Sequence, residues 1–209
     1  MSPTPTVRQR GRSPRATSAD RRAAITAAAL ELFADRGLAA TSVDDIRAAS
    51  GASVGSIYHH FRSKEGIAAS AYVEAIADYQ QGALAALRAA PDARAGVRGM
   101  VTHFLGWVGD HPGHAALMLE GQYGDVRRLA AEDVAALNDE YFASRRRWVD
   151  EQVTAGELTA VPPDVFVWAV LGPAWRFAEL WLAGRTSTPL TEATAAFADL
   201  AWSGLAPRS

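Results

Sequence analysis

The sequence contains no cysteine. That excludes disulfide bonds, thiolate nucleophiles and metal centres built on sulfur. It agrees with a protein working in a reducing cytoplasm, and a cytoplasmic location is expected. No apolar run reaches the roughly eighteen residues of a membrane-spanning helix, so no membrane partner is expected. The opening stretch, MSPTPTVRQRGRSPRATSADRR, holds arginines with no apolar segment behind them, and it does not read as a secretory signal. Strand-like alternation and internal repeats are missing. So are the Gly-x-Ser-x-Gly elbow, the phosphate loop and the dinucleotide fingerprint. Neither an enzyme nor a bound cofactor is expected.

What is present is an ordinary globular composition, 49% hydrophobic and 21% charged over 209 residues. The charge is unevenly placed. Residues 1–65 hold ten Arg and Lys against six Asp and Glu, while the whole chain has a formal net charge of −2. A basic first part on an acidic remainder suggests that the first part meets a polyanion.

Residues 1–17, rich in Pro, Ser, Thr and Arg and without apolar period, are expected to be a disordered basic arm. Beyond them the pattern is helical throughout. A first helix is predicted from Ala19 to Arg36, capped by Ser18 and stopped by Gly37, with Ile25, Ala28, Ala29, Leu32 and Phe33 as its buried stripe. A short second helix follows Ser42, with Asp45 completing a capping box. A third begins at Ser53 after a Ser50-Gly51-Ala52 turn. Ser63 caps a long fourth helix that Pro91 ends. Further helices are predicted at about 92–110, 112–121, 126–155, 163–184 and 190–205, separated by Pro and Gly breaks. Pro173 is expected to kink the eighth.

The stretch GASVGSIYHHFRSK, residues 51–64, carries the functional argument. Two short helices joined by a tight glycine turn make a helix-turn-helix, whose second helix lies in the major groove of DNA. At 100° per residue, with Ile57 inward, Phe61 and Val54 fall within about 60° of it, and Gly55, Ser56, Tyr58 and His59 point away. Gly55 costs a helix about 1 kcal/mol relative to alanine, which is understandable if DNA must come close there. Lys64, in the first turn of the fourth helix, opposes that helix's dipole. A phosphate would use both the lysine and the free amides beside it.

The block TSVDDIRAASGASVGSIYHHFRSKEGI resembles the DNA-binding segment of TetR-family transcriptional regulators, closely over residues 20–67. The resemblance implies an all-α protein with an N-terminal three-helix helix-turn-helix domain, residues 18–67. A helical-bundle domain for ligand binding and dimerisation, residues 68–209, would follow. It implies that Thr41 and Ser42 contact phosphate at the start of the second helix. Ser53, Val54, Gly55, Ser56 and His59 would face the major groove, Tyr58 and His60 would touch the backbone, and Lys64 would hold a phosphate. Two positions depart from the pattern. Ala52 stands where a larger aliphatic residue is common. Val54 stands where many members carry a polar or basic side chain, which leaves an apolar contact such as a thymine methyl.

The larger part of the chain contains all six tryptophans. His103, Phe104, Trp107, His114, Met118, Tyr123, Trp175 and Phe177 offer apolar walls with a few polar points, the chemistry of a site for a small hydrophobic effector. VFVWAVLGPAWRFAELWL is apolar almost all round, so it must be buried on several sides. The resemblance implies a homodimer through the last two helices, matched to a double-stranded palindromic operator.

The expected function is therefore ligand-responsive transcription regulation by a repressor released by a small hydrophobic molecule. Two alternatives stand beside it. One is a metal-responsive regulator using His103, His111 and His114; Pro112-Gly113 interrupts the spacing of the last two, and no metal ligand is assigned. The other is a helical ligand-binding protein without DNA function.

Overall fold

The computed structural model describes residues 17–120 and 124–207, without the side chain of Glu120. Each early helix starts where a short polar side chain can accept the free amides of a first turn. Helix α1, Ser18–Ala40, is capped by Thr17. Its Oγ1 accepts the Asp20 amide at 3.1 Å, and the Asp20 carboxylate accepts the Thr17 amide at 2.8 Å. The cap thus lies one residue before the expected Ser18, because only Thr17 has an acid three residues on to complete the reciprocal pair. Gly37, at φ 79°, interrupts α1 where its stop was expected, and the last turn continues beyond the break.

Helices α2 (Val43–Ser50), α3 (Val54–Phe61) and α4 (Lys64–Ala89) open on Ser42, Ser53 and Ser63, each accepting the amide three residues on. Gly51, at φ 66°, ends α2 in the left-handed conformation that glycine adopts without strain. Ile25, Ala29, Phe33, Ile46, Ile57 and Phe61 are buried together beneath α1–α3. This small core orients α3.

The remaining helices are α5 (Ala93–Asp110), α6 (Pro112–Glu120), α7 (Gly124–Thr154), α8 (Pro163–Leu182) and α9 (Leu190–Leu205). Among the described residues there is no strand. α4 packs lengthwise on α7 and α5, and α5 is enclosed by α4, α8 and α9. Val97, Val101, Phe104, Leu105 and Val108 of α5 are fully buried. The expected division at residue 67 falls within α4, which begins beside α1 and runs on into the body. Helix α8 continues through Pro173. By length and composition it is a candidate membrane span, with a mean hydropathy of 1.2 over its most apolar window, whereas no such run was expected. Here it packs against α5, α6 and α9.

Close approach fixes how α5 meets α7. The Trp148 indole lies on Gly96, where an added Cβ would come within 2.1 Å of its Cζ2. Gly96→Ala is therefore expected to force these helices apart and cost about 1–3 kcal/mol, read as a lower urea midpoint by circular dichroism. An unchanged midpoint would mean that the indole yields freely.

Candidate DNA-binding face and sensor body

Helix α3 presents one buried and one open side. Ile57 is fully buried and Phe61 nearly so, while Gly55 and His59 are exposed and Tyr58 is 50% exposed. A Cβ built on Gly55 would meet nothing within 4 Å among the described residues, so none of their packing requires a glycine there. The Ser53 hydroxyl accepts the Ser56 amide at 3.2 Å. His60 is half-buried, its ring 5.2 Å from that of His59 and 6.0 Å from Phe61. Two residues sit differently from their helical-wheel positions. Val54, placed within reach of the inward side, is 41% exposed, because the first turn of so short a helix projects past its neighbours. Ser56, placed outward, is half-buried, and its hydroxyl oxygen is shielded without a partner among the described residues, since it adjoins the buried stripe.

Three expected phosphate contacts look different once the residues are in place. Thr41 is buried, its hydroxyl donating to the Gly37 carbonyl at 2.9 Å. At the kink the Gly37 carbonyl takes up this hydroxyl, which serves the end of α1 and not a ligand surface. Ser42 is exposed and donates to Asp45 Oδ2 at 2.7 Å. Those contacts hold the Asp45 carboxyl below its usual range, with the Ser42 hydroxyl the largest cause. The Lys64 ammonium donates to the carbonyls of Leu38, Ala39 and Thr41 at 2.8, 3.2 and 2.8 Å. A helix start lacks acceptors, but here the carbonyl end of α1 comes to meet it. Sequence spacing offers no sign of that approach across more than twenty residues.

Two arginines were passed over. Arg62 ends α3 with φ 64°, exposed beside the open side. Arg22 of α1 donates to Ser70 and, at 3.5 Å, to Glu74 of α4, with its guanidinium 4.9 Å from the Phe61 ring centre. It links α1, α3 and α4.

In the body the expected ligand residues come together as packed core. Phe104 is fully buried and stacks on Trp175 at 5.5 Å, with the rings 5° apart. Tyr79 of α4 meets His103, Phe104, Trp107 and Tyr141 within 6.4 Å. Burial raises its phenol well above the usual range. Trp107 Nε1 donates to Asp78 Oδ2 at 2.7 Å, and His103 Nε2 donates to the Tyr79 carbonyl at 3.0 Å. Met118 is buried, and Phe177 packs on Phe197 at 5.5 Å. Tyr123 lies outside the described residues, as does the basic arm but for its last residue. The expected cavity walls thus fill one another's space. His103 and Trp107 border a shallow cleft of about 430 Å³ between α4 and α5.

A more apolar cleft, about 520 Å³, lies between α7 and α8 and is lined by Phe142, Val149, Val153, Phe166, Val167 and Trp168, among others. Arg145 stands on its edge over the Tyr141 and Phe142 rings, 5.2 and 4.9 Å from their centres.

The histidines do not assemble a metal centre. The His111 and His114 rings are 6.1 Å apart, edge to face. His111 Nδ1 is engaged with the Trp107 carbonyl, and His103 with that of Tyr79. Among the described residues no group of three His, Cys, Asp or Glu could hold an ion. Burial is the largest cause lowering the His114 pKa, followed by the charge of His111.

Comparison with known proteins agrees with this geometry. Residues 25–71 match the family described as "Bacterial regulatory proteins, tetR family". Over 47 residues, 22% of this chain, the sequence is 53% identical to the HTH-type transcriptional repressor KstR2 of Mycolicibacterium smegmatis. That match spans only about a quarter, 23%, of the relative's length. The whole fold is similar to a TetR family transcription regulator from Marinobacter aquaeolei, with TM-score 0.74 and 21% identity, over 90% of this chain and 96% of the other. It is also similar to the transcriptional regulator FadR of Bacillus subtilis, solved in complex with stearoyl-CoA, with TM-score 0.73 and 18% identity, over 87% and 98% of the two chains. The N-terminal segment is thus similar to that of the tetR family of bacterial regulatory proteins, and the fold as a whole is similar to that of a solved TetR family transcription regulator.

Proposed function

We propose that the protein is a homodimeric repressor that binds a palindromic DNA operator in the cytoplasm and is released from it by a small apolar effector. The observation that carries the DNA reading is Gly55, a glycine in a helix whose missing side chain nothing among the described residues explains. A base edge or sugar-phosphate backbone explains it. Val54, Tyr58 and His59 flank it on the open side, and Arg62 supplies a cation at the helix end. The repressor named above, similar over the same segment, supports the reading.

A dimer is supported by apolar surface on the last two helices, where Trp168 and Leu200 are 65% and 63% exposed and Val165 is 47% exposed. The effector's seat is the α7–α8 cleft, whose volume and apolar lining suit a drug-sized molecule. The stearoyl-CoA held by the similarly folded Bacillus protein supports an apolar effector. Such a molecule changes DNA affinity only through its different affinity for the two subunit arrangements.

The test is selection of duplexes from a randomised pool by the purified protein, followed by the Gly55→Leu variant. The expected motif is an inverted repeat with half-sites about one helical turn apart, or a multiple of it. Open space at Gly55 means that leucine leaves folding intact and, as a better helix former, slightly favours α3. Binding to the selected duplex is expected to fall at least roughly ten-fold. Unchanged binding by a normally folded variant would refute the assignment of this face to DNA.

A further inference from the structure

We propose that Lys64 serves DNA recognition from inside the protein, as a positioning residue that clasps the end of α1 and fixes the link on which α2 and α3 stand. The proposal rests on the DNA-binding reading above. Its ground is stoichiometric. An ammonium has three N–H donors and no acceptor, and three carbonyls, those of Leu38, Ala39 and Thr41, converge on this one within 3.2 Å. No donor is left over for a phosphate while the clasp is closed.

Electrostatics favours the same role. Lys64 is the first residue of α4, where a cation opposes that helix's own dipole, but it lies against the last carbonyls of α1, where a cation is welcome. Helix α1 ends at Ala40, which leaves those carbonyls without a continuing helix to bond them, although that of Leu38 also accepts the Thr41 amide at 3.3 Å. Immediately beyond the clasp, Ser42 caps α2, so the point held by Lys64 sets the start of the helix-turn-helix.

Residue choice is consistent with it. Lys64 is the sequence's single lysine, against twenty arginines. A guanidinium presents its donors in a flat fork suited to carboxylates and phosphates, whereas an ammonium offers three donors that rotate onto converging oxygens. At an ordinary phosphate contact arginine would serve as well. At this clasp it would not.

The experiment compares Lys64→Ala and Lys64→Arg with the parent protein in two measurements. The first is hydrogen–deuterium exchange of the DNA-free dimer. Both variants are expected to exchange faster at Thr41, Asp45 and Ile46, whose amides bond within the link and the α2 cap, while α5 and α9 keep their protection. The second is the salt dependence of binding to the duplex selected by the parent protein. Both variants are expected to bind roughly ten-fold more weakly, and Lys64→Arg is expected to keep the parent salt slope. A phosphate contact predicts the reverse pattern. Lys64→Arg would then bind like the parent, and Lys64→Ala would lose about 0.9 of slope for each contact removed. That pattern, or unchanged exchange at the link, overturns the proposal. Should the parent protein select no duplex, the DNA reading fails, and the exchange measurement still decides whether the clasp exists.

Discussion

Replacing Trp168 and Leu200 together with glutamate is expected to give a folded monomer that scarcely binds its operator. Both side chains are well over half exposed, so neither substitution opens a cavity or strands a charge in the core. What each removes is apolar surface that a single chain cannot cover. They lie on α8 and α9, which pack on each other, so one approaching partner could cover both. Two glutamates per chain would place four like charges across a twofold contact, in a setting stripped of water. Light scattering should report a mass near the 22.2 kDa of one chain instead of twice that. The thermal melt monitored by circular dichroism should keep a single cooperative transition. Operator affinity should fall by about 10²–10⁴, because the second half-site then no longer benefits from the effective concentration that the first supplies. A variant that kept the double mass would move the subunit contact to another face.

Much of the fold was legible in the sequence because its determinants are local. Ser42, Ser53 and Ser63 each have the amide they cap three residues on, and each helix starts where the serine predicts. Gly37, Gly51 and Pro163 mark breaks through their own φ preferences. Helix α9 runs from Leu190 to Leu205 within its expected span. With Ile57 taken as inward, the helical period placed Phe61 beside it, and both are buried.

The features that eluded sequence reasoning depend on residues far apart in the chain. Lys64 meets carbonyls more than twenty positions earlier. Arg22 meets Ser70 and Glu74 some fifty positions later. Thr41 has a hydroxyl suited to a phosphate, yet it is buried and donates to the carbonyl of Gly37, at the kink in α1. Helical-wheel angles placed Val54 and Ser56 poorly, since an eight-residue helix has ends as important as its faces. For aromatic residues, composition shows only that they are apolar. Whether they stack on one another or surround a space is decided by which helices meet, and α5 meets α4 and α8 closely enough for Phe104 and Tyr79 to touch.

That last distinction gives the second large effect. Phe104→Ala is expected to lower stability by about 3–5 kcal/mol, through lost burial together with the cavity left behind. The ring is fully buried, stacked face to face on Trp175 and met edge-on by Tyr79, so its removal breaks contacts with two other helices at once. Neighbouring side chains are poorly placed to refill the space. Tyr79 is also engaged with His103, Trp107 and Tyr141, and Trp107 is tied to Asp78. Urea unfolding followed by circular dichroism should show a large fall in midpoint with an unchanged dependence on denaturant, the sign of a weaker native state and not of an altered unfolded one. The opposite result has a definite meaning. Were Phe104 a wall of an effector cavity, as the sequence suggested, truncation would cost little stability in the effector-free protein and would act mainly on effector affinity. The two outcomes place the effector differently. A large stability loss leaves it to the α7–α8 cleft beside Trp168, adjoining the proposed subunit contact, where occupancy can bear directly on how the two recognition helices are spaced.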